Sequence, residues 1–287
     1  MSIKNIFIFF SILLILCTMV NAMEINFFEE FPSERNIDNV GLLNFSTKIY
    51  VASSSLDDFS HWKNKLHSSS NVSSVVYWPT ISDDDYWISP WADPTELDSL
   101  FSRLKDHARD SGLEIMLDLE FPKNKTRILT RNDNVKINKE KIEKFMDEAK
   151  DSGIVLSAIQ KSYFPEKFLE SAGLRYSHPD VKRINMYYTS MFQRIVLPDF
   201  VVDPLFRRKA ERAAYNNESL AIGIIAPGIY SKGHYLGFIE NTYKPKDLEK
   251  ELIIAREAGV KEVIIFRLEG LSRNPDYVRV VNDLSKP

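Results

Sequence analysis

Cysteine is all but missing from this chain of 287 residues. The one cysteine, Cys17, sits in an apolar run over residues 6–20. Lys4 precedes the run and Val20-Asn21-Ala22 ends it, with small residues placed as a leader cleavage site has them. The run is also shorter than the about 17–25 residues of a membrane-spanning helix. Residues 1–22 therefore read as a secretory signal peptide cleaved after Ala22, with an uncleaved N-terminal anchor as the alternative. The remaining chain, 23–287, has no thiol, which excludes disulfides and thiolate-bound metals. An exported chain without disulfides depends on its core, and about 265 residues can bury roughly three quarters of their surface.

Glycine is scarce as well, at 10 residues. No glycine-rich turn follows the first apolar strand, where Phe28-Glu29-Glu30-Phe31-Pro32 stands instead, and this disfavours a dinucleotide-binding domain. The chain lacks a Gly-X-Ser-X-Gly elbow, a phosphate loop and a His-Glu-X-X-His pair. Its five histidines show no metal spacing: His61, His67 and His107 fall on predicted helices, and His178 and His234 in loops. No cofactor or metal is expected. An excess of one charge is also missing, with 37 Lys and Arg against 40 Asp and Glu. That balance argues against nucleic acid as a partner. The basic cluster at 206–209 reads as a solvated helix face. No segment after residue 22 is apolar enough to cross a bilayer. Asn44, Asn71, Asn124 and Asn217 head glycosylation sequons, which is weak evidence for glycosylation.

What the chain does have is a rhythm. Apolar strand candidates recur at 25–28, 48–52, 74–78, 114–120, 154–159, 184–189, 220–226 and 262–269. Helical patterns lie between them, most clearly at 94–111, 138–151 and 246–258, each closed by a glycine before the next strand. Weaker ones span 33–43 and 165–172. Eight rounds of strand and helix predict a single (βα)8 barrel over 23–287, whose site lies where the strands exit.

The exits carry the chemistry. The fourth strand ends in Asp118-Leu119-Glu120, and alternation puts both acids on one face. Buried acids there are costly unless paired, bonded or used. The first strand leaves through Glu29 and Glu30, of which one faces inward. The third leaves through Tyr77-Trp78, and its loop carries Trp87 and Trp91. Aromatic rings beside acids suit a sugar, whose apolar faces stack while its hydroxyls find polar partners; packing onto the barrel rim is the alternative. The Asp83–Asp85 run offers a weak calcium site. The sixth strand ends in Tyr187-Tyr188. On the eighth, Arg267 and Glu269 share a face, and Arg267 is expected to hold Asp118 or Glu120.

With these fragments the chain resembles the chitinase-type glycoside hydrolases, family 18. That family's fourth strand ends Asp-X-X-Asp-X-Asp-X-Glu and its sixth carries Met-X-Tyr-Asp. Here Asp118-Leu119-Glu120 keeps the tail of the first motif, while Leu113 and Met116 stand at the earlier acids. Met186-Tyr187-Tyr188 keeps the second, with Thr189 in place of its Asp. The resemblance implies a (βα)8 barrel with Glu120 as general acid, Asp118 as its electrostatic partner and Tyr188 as a donor to substrate. The missing acids set this chain apart from the family's acetamido-assisted mechanism.

Three functions follow. The first is an exported glycoside hydrolase acting on a polysaccharide or glycan as a monomer. Glu120 is its acid, Glu269, Glu29 or Glu30 is the second carboxylate, and Tyr77, Trp78, Trp87, Trp91 and Arg267 contact substrate. The second is a barrel that binds a glycan or surface partner without catalysis. The third is a divalent-metal phosphodiesterase with Glu29 or Glu30, Asp118, Glu120 and Glu269 as ligands.

Overall fold

The computed structural model describes residues 23–82, 85–161, 164–190, 197–228 and 243–286. Residues 1–22, read above as a signal peptide, and Asp83, Asp84 and His234 lie outside them. Eight parallel strands close into a ring in sequence order, β1 to β8. They are β1 (Glu24–Glu29), β2 (Thr47–Ser53), β3 (Val72–Pro79), β4 (Leu113–Leu119), β5 (Ile154–Lys161), β6 (Val181–Met186), β7 (Ser219–Gly223) and β8 (Glu262–Phe266). The ring closes where β1 pairs with β8 over five residues, from Glu24 opposite Glu262 to Phe28 opposite Phe266. The predicted barrel is the observed one. The last three strands are offset from their predicted spans, because apolar loop residues such as Ile224, Ile225 and Leu268 continue the buried run past the ladder.

The helices are α1 (Glu34–Ile37), α2 (Leu56–His67), α3 (Pro94–Ser111), α4 (Arg127–Thr130), α5 (Asn134–Ala149), α6 (Glu166–Ser171), α7 (Asp199–Tyr215), α8 (Pro245–Glu257), α9 (Gly270–Arg273) and α10 (Pro275–Leu284). Their starts follow capping rules. Ser55 accepts from the Asp58 N–H ahead of α2, and Asp93 accepts from the Thr95 N–H ahead of α3, with Pro94 in the first turn. The glycines closing the three predicted helices, Gly112, Gly153 and Gly259, have φ of 63°, 75° and 83°, where a side chain would be strained. Among the described residues no helix is long and apolar enough to cross a membrane. The 206–209 cluster is only half a solvated face, since Phe206 is fully buried under α7 and Lys209 lies over the Tyr187 ring.

Strand residues alternate between two cores. Ile25, Phe27, Ile49, Val51, Leu113, Ile115 and Leu117 face the helix layer. Phe28, Tyr50, Val76, Met116, Ile184 and Ile264 fill the lumen. The lumen's N-terminal end is closed by a polar plug centred on Glu262. It accepts from Asn26 Nδ2 at 2.7 Å, Tyr50 hydroxyl at 3.2 Å and the Ser219 hydroxyl, and it pairs with Lys182 at 2.5 Å. The chemistry is therefore confined to the opposite end, where the strands exit.

Candidate active site

Alternation along β1 decides which of its two acids enters the lumen. Phe28 faces inward, so Glu30 does too, while Glu29 points back toward the ring's outer layer. Glu29 is completely buried. Its carboxylate accepts from Arg267 Nη1 at 2.8 Å, the Phe31 and Glu269 backbone N–H groups at 3.0 Å each, and Asn36 Nδ2 at 3.2 Å. Burial pushes its carboxyl up, against the pull of Arg267 and the two N–H groups. Arg267 also pairs with Glu269, which in turn pairs with Arg273. Glu29, Arg267 and Glu269 thus form a structural clamp.

This corrects the expected role of Arg267. It does not hold Asp118 or Glu120, because β8 neighbours β1 in the ring rather than β4. Glu269 likewise lies beyond the end of β8, at the head of α9, and not on a strand face with Arg267. The cation that reaches the fourth-strand acids comes from β5. Register places Leu119 opposite Gln160, and Lys161 Nζ sits 2.6 Å from Glu120 Oε2.

Asp118 and Glu120 both enter the lumen and are both buried. The Asp118 carboxyl is pushed well up, first by burial, then by the charge of Glu120 and, more weakly, of Glu30; Lys161 and the Trp78 indole oppose the rise. The pair is therefore asymmetric: burial favours the protonated form of Asp118, while Glu120 is in an ion pair. Glu30 is buried as well. Tyr86 donates its hydroxyl to Glu30, and burial beside Glu30 and Asp118 drives that phenol far above its ordinary range. Lys125, near both Lys161 and Glu120, is brought down to about 8 by desolvation and by Lys161.

The aromatic residues divide. Trp78 and Trp87 join the lumen cluster with Phe28, Tyr188 and Phe266, and Tyr86 packs against it. Phe28 meets Trp78 edge-on at 5.7 Å, and Tyr188 lies 5.7 Å from Phe266. Tyr77 is one residue out of phase, so it faces the helix layer and stacks on Phe59 at 4.7 Å, away from any ligand in the lumen. Trp91 packs outside the lumen, stacked on Phe121 at 5.6 Å with Leu169 and Leu174. The loop carrying Trp87 is pinned by buried Asp85, which pairs with Arg127 and with Arg131 at 3.1 Å. Asp85 is thereby unavailable to the calcium site its run suggests. Thr189, at the family's Asp, turns out of the lumen to Tyr243 and to Glu251 of α8.

Sequence reading therefore missed Tyr86 and Lys161. Lys161 carried a signal: it is two residues beyond Ile159, hence on its face. Tyr86 carried none, since its place depends on how the loop folds. Glu29 and Glu269, two of the ligands a metal phosphodiesterase would use, are committed to Arg267. Among the described residues no group of three or more His, Cys, Asp or Glu converges as a metal site.

The whole barrel can be laid on known enzymes. The PgaB (BpsB) glycoside hydrolase domain from Bordetella bronchiseptica superposes with a TM-score of 0.57 at 10% identity, over 92% of this chain and 99% of that one. The barrel resembles the chitinase-type glycoside hydrolases in fold. The GH18 chitinase ChiB from Flavobacterium johnsoniae matches at 0.55 and 12% identity, over 92% and 94% of the two chains. An L-ribulose 3-epimerase matches at 0.50 and 13%, over the same shares, so the fold by itself does not select a reaction. No family model and no curated protein matches the sequence.

Proposed function

We propose that this protein is an exported glycoside hydrolase that cleaves a glycan with a carboxylate acid. One observation carries the reading. Asp118, whose carboxyl burial pushes well up, lies beside an ion-paired Glu120 and a third acid, Glu30, at the exits of the strands and beside the rings of Trp78, Trp87 and Tyr86. Glycoside cleavage needs a proton for the departing oxygen, and a buried carboxyl whose pKa is raised is suited to supplying one. Glu120 lies one pleat beyond Asp118, nearer the exit, so it delivers to substrate the proton that Asp118 stores. Lys161 steadies the charge left behind. The aromatic wall offers faces for the sugar ring. The export signal read at 1–22 and the thiol-free remainder fit work outside the cytoplasm.

A panel of 4-nitrophenyl glycosides and chitin oligosaccharides tests this. Glu120→Gln is expected to lower turnover by about 10²–10⁴-fold, the usual cost of losing a general acid, in a variant that still folds. Equal turnover in the variant would remove Glu120 from the reaction.

A second reading, a barrel that binds glycan without cleaving it, is favoured by the 2.6 Å Lys161–Glu120 pair, which occupies the donor. Saturable binding of the oligosaccharides with no turnover on the panel would select it.

A further inference from the structure

The proton donor is only half of a hydrolysis. We propose that Glu30 is the other half, the base that takes a proton from the attacking water. The proposal rests on the glycoside hydrolase reading and narrows it. It also departs from what the family resemblance implies, in which the substrate's own acetamido group assists.

The acids that such assistance draws on are gone or turned away. Met116 stands in the lumen core and Leu113 in the sheet–helix core. Thr189 faces Tyr243 and Glu251. The second carboxylate must then come from the protein's own strand exits. Glu29 and Glu269 are committed to Arg267. Glu30 is the acid that β1 turns into the lumen, and it lies close enough to Asp118 to raise its pKa.

Its surroundings hold it in place. The Tyr86 hydroxyl donates to it. Tyr86 has a φ of 44°, a conformation that costs a bulky residue free energy and that the surrounding structure must impose. Backbone bonds of Tyr86 to Ser82 and Ile81, at 2.7 and 3.0 Å, do so. Gly228 packs its backbone onto the carboxylate from another side. A Cβ there would come within 2.9 Å of Glu30 Oε2 and of the Phe266 ring, so only glycine fits without displacing Glu30.

The step balances as follows. Glu30 accepts a proton from water while the water oxygen bonds to the anomeric carbon. The bond from that carbon to the glycosidic oxygen breaks. The departing oxygen takes a proton from Glu120, which takes the one stored on Asp118. Glu30 then returns its proton to neighbouring Asp118, and one water has been consumed. A single displacement of this kind inverts the anomeric carbon.

The experiment uses the mature chain with 4-nitrophenyl glucoside, 4-nitrophenyl N-acetylglucosaminide and chitin oligosaccharides. Four results are expected. The first product anomer, followed by NMR, is inverted. An acetamido group is not required. Glu30→Ala lowers turnover by about 10²–10⁴-fold. Added azide restores much of the rate to that folded variant and yields a glycosyl azide. Where Glu30→Ala fails to fold, Glu30→Gln carries the same rate and pH-profile measurements, with the acidic limb, which reports protonation of the base, expected to vanish. A retained anomer, an undiminished Glu30 variant, or a folded Glu30→Ala that azide leaves inactive would each overturn the assignment while the hydrolase reading stands. An inert wild type with glycan binding would overturn both.

Discussion

Asp118 and Glu120 stand one pleat apart on the same strand, yet their surroundings divide the work between them. Burial raises the Asp118 carboxyl first and Glu120's charge second, while Glu120 is paired with Lys161 at 2.6 Å. A carboxyl whose folded pKa exceeds the unfolded value keeps a proton that the unfolded chain has released. Its contribution to stability is therefore full below about pH 3.8 and is lost as pH rises through the folded pKa. Asp118→Asn removes that loss. The variant is expected to melt higher than wild type at neutral pH while turning over more slowly, and the gap in melting temperature should close in acid. Melting curves taken from acid to neutral pH check this; a variant that melts lower at neutral pH would show that the site is not strained by its own charge. At this scale the sequence was only partly legible. It placed Asp118 and Glu120 on one inward face, because period-2 alternation needs no partner. It could not choose between Glu29 and Glu30, or between Tyr77 and Trp78. In a parallel barrel both strand faces are buried, so the hydrophobic pattern carries no phase.

The elements differ in how openly they announce themselves. The helix at Pro94–Ser111 matches its predicted span, since apolar periodicity, Asp93, Pro94 and Gly112 all agree. The loop between Pro79 and Pro94 shows no such agreement, and its acids and tryptophans suit a sugar platform and packing onto the rim equally well. The structure divides it: Trp87 goes into the lumen, Trp91 into a cluster outside it, and Asp85 to two arginines at the ends of α4. Those ion pairs span 42 and 46 positions of sequence, which no local pattern can signal. Asp85→Asn would leave Arg127 and Arg131 without their shared carboxylate. The expected cost is about 2–3 kcal/mol, less than the loss of a partner from a fully buried pair, because both arginines reach solvent. Limited proteolysis should then cut within 80–93 sooner than elsewhere, and Trp87 emission should move to the red. Unchanged cleavage in the variant would mean that the aromatic packing alone holds the loop.

For the molecule as a whole, the eight-fold rhythm was enough. Each strand–helix round is weak evidence, but eight in a row without a glycine-rich turn after the first strand favour a closed ring over an open doubly wound sheet. What the rhythm could not show is that the two ends of the ring respond oppositely to pH. At the closed end burial pushes Glu262 up, but Lys182, Ser219 and Lys48 overcome it, and the carboxyl lies below its ordinary value. A depressed carboxyl stabilises fully above the unfolded value of 4.5, and that contribution is lost as pH falls through the folded pKa. The closed end therefore weakens in acid and the open end as pH rises. Glu262→Gln is expected to lower the melting temperature at neutral pH and to flatten its fall below about pH 4.5. A parallel downward shift at every pH would assign the plug's value to packing alone.

The closure of β1 on β8 also decides how the protein can be handled. Glu24 opens β1 beside Glu262, at the plugged end. The last helix returns there too: Asn282 bonds the backbone of Leu42 and Asn44, just ahead of β2. A bead, a fused partner or a surface joined at either end of the barrel would thus attach behind the plug. The carboxylates would then look outward into the medium, within reach of a polymer too large to diffuse between the protein and its support.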